Sequence, residues 1–559
     1  GAGGTGASMR VALPDTLAKL NLTGGVTLGG NSSISVSNDP ARVLTISSII
    51  NDGGSGYSLA INDDAGAWAQ TNGIVRLTAA NTFTGNISIS DGILEFDTVT
   101  DVSGGPSSLG NGAAISMAGG ILRFIGSASQ ATNRPITTTG SSTLSANGTS
   151  GATITYNGAI TQASDNSLTL AGTGVGIING GVSQPAGAAT ADINISSGTW
   201  TIKDANISIA DDLLFTGGTL TLQGMVMSIA DDIVNTSGVL NLNSAGVWAP
   251  TVPSGTSSGL YARGGGVINL GANNISGVDN ANGADFISLA DGTTLGTGTL
   301  ETNGYSLSIP QFNVGAVADG YTGVAQGSGT ITVTSNAVDW SSGIRLYRGT
   351  VASNLAGIAS ILKQGLGDVT LSGDNSGLTG TVAATRLDAG NLILDYTTNN
   401  SSKISTGAQL DMRGANLIIN GSSTADTVQT VASFTLANGG ASTVAVNAGT
   451  GRQAVLNLNG MTRAVNSQDG TIRFILPQGI QTVSNGITTD TLNAIGSAAN
   501  AILGGWATVN DGTGVYFARN LTNSSDGNIV AAVTTLQDNV SSWGIGENIS
   551  DASGFAGSV

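Results

Sequence analysis

The sequence predicts an all-β fold built as a solenoid of stacked coils, and three observations predict it. The first is a 20-residue repeat. Ser197-Gly198-Thr199-Trp200-Thr201-Ile202 returns as Gly217-Gly218-Thr219-Leu220-Thr221-Leu222 and again as Ser237-Gly238-Val239-Leu240-Asn241-Leu242. A fixed period of this size, carrying short alternating apolar runs, requires coils that stack because none can bury its own apolar face. The second is period-two alternation. Ile87 and Ile89, then Ile93, Leu94 and Phe96 after a Gly-containing turn, line one face of short strands. The third is composition: Gly contributes 85 of 559 residues, roughly twice the usual share, with 40% hydrophobic and only 9% charged residues. That balance is too apolar for disorder and suits many short strands joined by tight turns.

Along the chain, residues 1–70 read as an N-terminal β segment, with alternation at Val26-Thr27-Leu28 and Ser33-Ile34-Ser35-Val36 and a short helix from Asp15 to Leu20 after Pro14. Residues 71–245 are the regular solenoid. Residues 246–360 keep strands but lose the strict period, and Trp248, Pro250, Pro253 and Pro310 mark longer loops or an insertion. Residues 361–475 form a second repeat region and 476–559 a less periodic C-terminal β segment. At 20 residues per coil the chain makes on the order of 25 coils, each ~4.8 Å from the next.

The net charge of −17 excludes phosphate-backbone recognition, which needs concentrated Lys and Arg, and disfavours anionic lipid. It suits a divalent cation. Without Cys or His, disulfides, zinc sites of the usual ligand types and Cys or His catalysis are excluded. No apolar run approaches the ~20 residues of a spanning helix, so no membrane insertion is expected. The opening Gly1-Ala2-Gly3-Gly4-Thr5-Gly6 and the closing Gly554-Phe555-Ala556-Gly557-Ser558-Val559 read as a processed or truncated piece of a longer exported protein.

From Gly73 to Phe96 the sequence runs strand, Asn81-Thr82-Phe83-Thr84-Gly85, strand, then Gly92-Ile93-Leu94. This resembles the autotransporter-associated β-strand repeat of large exported bacterial surface proteins. A second copy resembles it from Leu362 to Gly373, followed by Asn375, and lacks the aromatic residue at Ser376-Gly377-Leu378-Thr379-Gly380. Ser108-Leu109-Gly110 with Gly119-Gly120-Ile121-Leu122 is similar to the segment after the motif. The resemblance covers about a third of the chain. It implies a right-handed parallel β-helix with irregular insertions, serving as an adhesin, a surface coat or a scaffold. It assigns Asn81 and Gly85 to a turn and carries over no catalytic residue.

Asp192, Asp212 and Asp232 keep the 20-residue step, with Asp211 and Asp231 beside them. Stacked at ~5 Å, such carboxylates repel one another unless a cation lies between them, and calcium takes oxygen ligands. The same residues also read as turn residues splayed toward water, or as an acid pair at glycosidase spacing. Against catalysis, Arg263, Arg345 and Arg348 are far off in sequence. Asp52-Gly53-Gly54-Ser55-Gly56 reads as an ordinary Gly turn. Trp200 aligns with Leu220 and Leu240 and reads as interior, and core packing is the better reading for Trp248, Trp340, Trp506 and Trp543 too.

The expected function is structural and extracellular, with identical copies joining through coil ends into a filament or surface layer. A monomeric adhesin binding host or surface glycans is the alternative, and a polysaccharide-cleaving enzyme a further one. No catalytic or cofactor-binding residue is assigned.

Overall fold

Short apolar runs bounded by Gly, Asn and Asp give strands of two to seven residues, each leaving one face to bury. The computed structural model describes residues 8–11, 19–36, 42–62, 73–163, 165–184, 192–203, 207–224, 227–229, 231–243, 259–273, 286–335, 343–380, 384–437, 440–463, 470–495, 501–532, 535–536 and 549–550. These residues form an all-β solenoid of parallel stacked sheets, with no helix among them. The chain divides into two units, 1–285 and 286–559, and the boundary falls inside the stretch expected to lose periodicity.

In the first unit three parallel sheets run along the stack. The first passes through Leu59–Asn62, Ile87–Ile89 and Ile115–Met117, the second through Ile74–Leu77, Ile93–Phe96 and Ile121–Phe124, and the third through Val175–Ile178, Thr199–Lys203 and Thr219–Gln223. Alternate side chains face inward: Ile61, Ile89 and Met117 stack in register, as do Leu77, Phe96 and Phe124. All six are at most 1% exposed, so each contributes about 1.5–3 kcal/mol of apolar burial. The Phe96 and Phe124 rings lie 5.6 Å apart. Trp200 is fully buried and pairs with Leu220 as the repeat predicts. Its ring fills the space above Gly176, where a Cβ would stand 2.3 Å from the indole.

The 20-residue step holds where the repeat is visible, from Ile193 to Leu213 to Ile233 and from Trp200 to Leu220 to Leu240. Elsewhere the coils are longer. The step is 28 residues from Ile61 to Ile89, 24 from Ile136 to Ile160 and 28 from Leu240 to Ile268. The expectation of about 25 coils is therefore corrected downward, because corner loops of variable length sit between strands of constant register. The helix expected from Asp15 to Leu20 is also corrected: Lys19–Leu22 is a strand paired with Val43–Ile46, and residues 15–18 lie outside the described residues. Pro310 stands at a corner between Leu307–Ile309 and Gln311–Val314, whereas Pro250 and Pro253 lie outside the described residues.

The second unit repeats the plan through strands such as Asn391–Asp395, Asn416–Asn420 and Ala441–Asn447. Its interior holds two fully buried lysines. Lys363 occupies an inward position between Leu346 and Leu387, and its Nζ donates to the carbonyls of Gln364, Gly365 and Ala389 at 2.8–3.0 Å. Lys403 donates to Ser372, Gly373 and Asn399 carbonyls at 2.8–3.1 Å. Each ammonium thus has all three protons bonded, although burial pushes both down to about 8. Near its end this unit changes pairing: Val515–Asn520 runs antiparallel to both Ala507–Asn510 and Gly527–Ala531.

Candidate functional site

The acidic residues sit at the corner between the first and second sheets. Ile209 and Leu213 are buried on either side, which turns Asp211 and Asp212 out at the bend. The next coil repeats this with Asp231 and Asp232. Backbone bonds stack the column: Leu168 N donates to Asp192 O, Ile193 N to Asp212 O and Leu213 N to Asp232 O, at 2.9–3.0 Å. The spacing of the repeat therefore places Asp192, Asp212 and Asp232 one above another, and Asp231 N donates to Asp211 O at 3.3 Å.

Two of these carboxylates are anchored by amides. Asp212 Oδ1 accepts from Asp232 N at 2.9 Å, and Asp232 Oδ1 accepts from Gly259 N at 2.8 Å. One carboxylate oxygen each from Asp211, Asp212 and Asp231 lies within 4.8 Å of the others. Two ligands of one calcium ion, each at 2.3–2.6 Å, are at most about 5 Å apart, so this donor set fits such an ion. Partial burial, and then the charges of Asp212, Asp192 and Asp231, push Asp211 up to about 6. Burial, with Asp231 and Asp212, pushes Asp232 up to about 6 as well. Asp192, Asp212 and Asp231 are raised too, each chiefly by burial.

These shifts have a definite sign. A carboxyl raised in the folded state binds its proton more tightly there than in the unfolded chain. Its stabilising contribution is complete below the ordinary 3.8 and is lost as pH rises through about 6. With EDTA present, Asp211→Asn together with Asp232→Asn is therefore expected to raise the melting temperature at pH 7.5 and to change it little at pH 4. A double variant that melts lower at pH 7.5 than the parent contradicts this charge strain.

The fold also brings Arg263 to this corner, which its distance in sequence concealed. Its charge lowers Asp212 and Asp232 against the effect of burial, and its guanidinium lies 4.1 Å from the Tyr261 ring. The signal was absent because Ile233 pairs with Leu260, a step of 27 residues rather than 20.

The repeat motif has a different role from the one expected. Asn81 and Gly85 both lack the positive φ that a tight turn demands. Asn81 is fully buried: its Oδ1 accepts from Ile50 N at 2.8 Å on one side, and its Nδ2 donates to Ser108 O at 2.7 Å on the other. Asn375 does the same in the second copy, bridging Leu355 N at 2.9 Å and Lys403 O at 3.0 Å. These side chains clip three coils together. Gly85 is needed for close approach, since a Cβ there would stand 2.2 Å from the Tyr57 carbonyl carbon. Positive φ is instead found at Gly198 and Gly218, in the repeat's own turn.

Asp52 lies in the Gly-rich turn and is structural. Its carboxylate accepts from Gly54 N, Tyr57 N, Thr84 N and Thr84 Oγ1 at 2.8–3.1 Å, which leaves it below the usual carboxyl range despite opposing burial. Trp506 faces Arg463, whose guanidinium lies 5.7 Å from its ring. Trp248, Trp340 and Trp543 lie outside the described residues.

An autotransporter adhesin of Brucella suis biovar 1 (strain 1330), Adhesin BmaC autotransporter, is 36% identical to this chain over 163 residues. The chain is a partial homologue of an autotransporter adhesin. The aligned part is 27% of the chain and spans only 4% of that protein's length. The β-solenoid is consistent with an autotransporter passenger β-helix. No family model matches the chain, and no solved structure matches it.

Proposed function

We propose that this chain is part of an exported, surface-displayed adhesin passenger in which the solenoid is the scaffold and its corner loops make the contacts. The observation that carries this reading is the partial homology to an autotransporter adhesin on a parallel β-solenoid. Coils clipped by buried amides and packed on stacked Ile, Leu and Phe side chains suit a rigid display rod. A binding role rather than catalysis follows from the same relative. Beads coated with the purified chain are expected to adhere saturably to host cells or to immobilised matrix and glycans. Adherence no greater than that of albumin-coated beads across such a panel would overturn the reading.

Self-association into a filament or layer is a second reading, favoured by one observation. In the first coil Leu20, Leu22 and Val26 are half-exposed, whereas their register partners Leu44, Ile46 and Ile50 are fully buried. A coil from an identical copy laid on that face would complete the core. The antiparallel strands near residue 520 do not support parallel stacking at that place. Light scattering with calcium present is expected to show mass rising with concentration and Leu20→Lys to abolish the rise. A chain that stays monomeric contradicts it.

Calcium at Asp211, Asp212 and Asp231, with Asp192 and Asp232 in the adjoining shell, is proposed as a stabilising ion for either reading. A melting temperature unchanged between calcium and EDTA at pH 7.5 would remove it.

A further inference from the structure

Three consecutive strands late in the second unit, Ala441–Asn447, Thr471–Ile475 and Ala507–Asn510, pair in parallel. The chain leaves each of them differently. After Asn447 it forms a projecting loop with Gly451 at φ 69°, closed by a bond from Arg452 N to Gly449 O at 2.9 Å. After Asn510 it forms a tight turn in which the Asp511 carboxylate accepts from Thr513 N and Thr513 Oγ1. The middle strand instead ends in Leu476 and Pro477, both buried, and Leu476 N donates to Asn510 O at 3.0 Å. The middle coil recedes between two that project. The resulting slot is two coil spacings high, about 9.5 Å, and has a volume of about 700 Å³.

Its chemistry is mixed in a particular way. Ile475, Leu476 and Pro477 make an apolar floor, and the side-chain amides of Asn447, Gln478 and Asn510 border it. Arg452 stands exposed at the lip and makes no ion pair among the described residues. The neighbouring carboxylates are engaged elsewhere: Asp511 in its own turn, and Asp426 with Gln453 N at 3.0 Å. On a chain of net charge −17 this is a cationic, amide-lined cleft with no acid in its lining.

We propose that this cleft binds an acidic oligosaccharide, with a sugar carboxylate paired to Arg452. The proposal rests on the adhesin reading and names a ligand class for it. A guanidinium offers a carboxylate two parallel charge-assisted bonds, amides match sugar hydroxyls, and the apolar floor receives the C–H face of a pyranose ring. The slot admits a flat ring edge-on, whereas one cation is too few for a polyphosphate chain.

Titration of the full chain with tri-galacturonic acid, 3′-sialyllactose and lactose, followed by calorimetry, tests this. At least one carboxylated probe is expected to bind and lactose is not. Arg452→Gln should weaken the binding about tenfold or more, Arg452→Lys less, and Arg473→Gln on the exposed face of the adjoining strand not at all. Because Arg452 lies on an exposed loop, the circular dichroism of its variants should match that of the parent. Absence of binding by both acidic probes up to about 10 mM, equal binding of lactose, or unchanged binding by Arg452→Gln each overturns the proposal. Bead adherence separates the two readings: adherence that survives Arg452→Gln while no acidic probe binds sinks the cleft alone, and a chain that neither adheres nor binds sinks both.

Discussion

Replacing Asn81 by alanine is expected to destabilise the first unit by about 3 kcal/mol, because two buried backbone groups each lose a partner worth ~1–3 kcal/mol. Ile50 N and Ser108 O belong to different coils, and the Asn81 amide is their shared partner at 2.8 and 2.7 Å. Water cannot replace it, since the residue is fully buried. Asn375→Ala should act alike at Leu355 N and Lys403 O. By contrast Asn86→Ala, whose exposed side chain accepts from Ala113 N and Ala114 N, should cost within about 0.5 kcal/mol. Hydrogen exchange reads the effect where it occurs, as loss of protection at Ile50. In a stacked array such a loss is local before it is global. Equal protection at Ile50 in Asn81→Ala and the parent would contradict the clip.

A single added methyl group at Gly85 is expected to cost about 3 kcal/mol or more, at the upper end of overpacking penalties. The Cβ would lie 2.2–2.4 Å from Tyr57 C, Tyr57 O and Ser58 N, which are backbone atoms of the preceding coil and can yield only if the coils part. Gly112 stands directly beyond, where a Cβ would be 2.0 Å from Gly85 O, so the strain cannot pass along the stack. The control is Gly24→Ala. Nothing lies within 4 Å of its Cβ position, and the change should be neutral within about 0.5 kcal/mol. Urea unfolding midpoints of the three proteins decide the matter, and Gly85→Ala unfolding at the parent's midpoint would refute the close approach.

Much of the fold was legible because stacking writes itself into spacing. The 20-residue step put Trp200 on Leu220 and Asp192 under Asp212 before any coordinates, and both hold. What the spacing hid follows from the same physics. Register constrains strands and leaves corner loops free, so coils of 24 or 28 residues erase the period without disturbing the stack. Arg263 and Tyr261 were missed for that reason. Lys363 was missed because a lone lysine reads as exposed, yet its stem can lie in a core column while its ammonium reaches corner carbonyls. The antiparallel strands near residue 520 were not legible, because alternation is the same in either direction. The Arg452 cleft arises from three corners of unequal reach, and no local pattern records that difference.

The central claim is that successive coils lie in parallel register one strand spacing apart, and paired cysteines test it most directly. The chain has no native cysteine to interfere. Thr201 and Thr221 are register partners on the half-buried outer side of the third sheet, and Asn241 follows Thr221 in the next coil. Neighbours at about 4.8 Å meet the Cα separation that a disulfide requires, whereas positions two coils apart, near 9.6 Å, do not. Under mild oxidation Thr201→Cys with Thr221→Cys is expected to close an intramolecular disulfide in nearly every molecule, and Thr201→Cys with Asn241→Cys to remain reduced. Closure of the second pair as readily as the first, or failure of the first, would contradict the stacked solenoid on which the account stands.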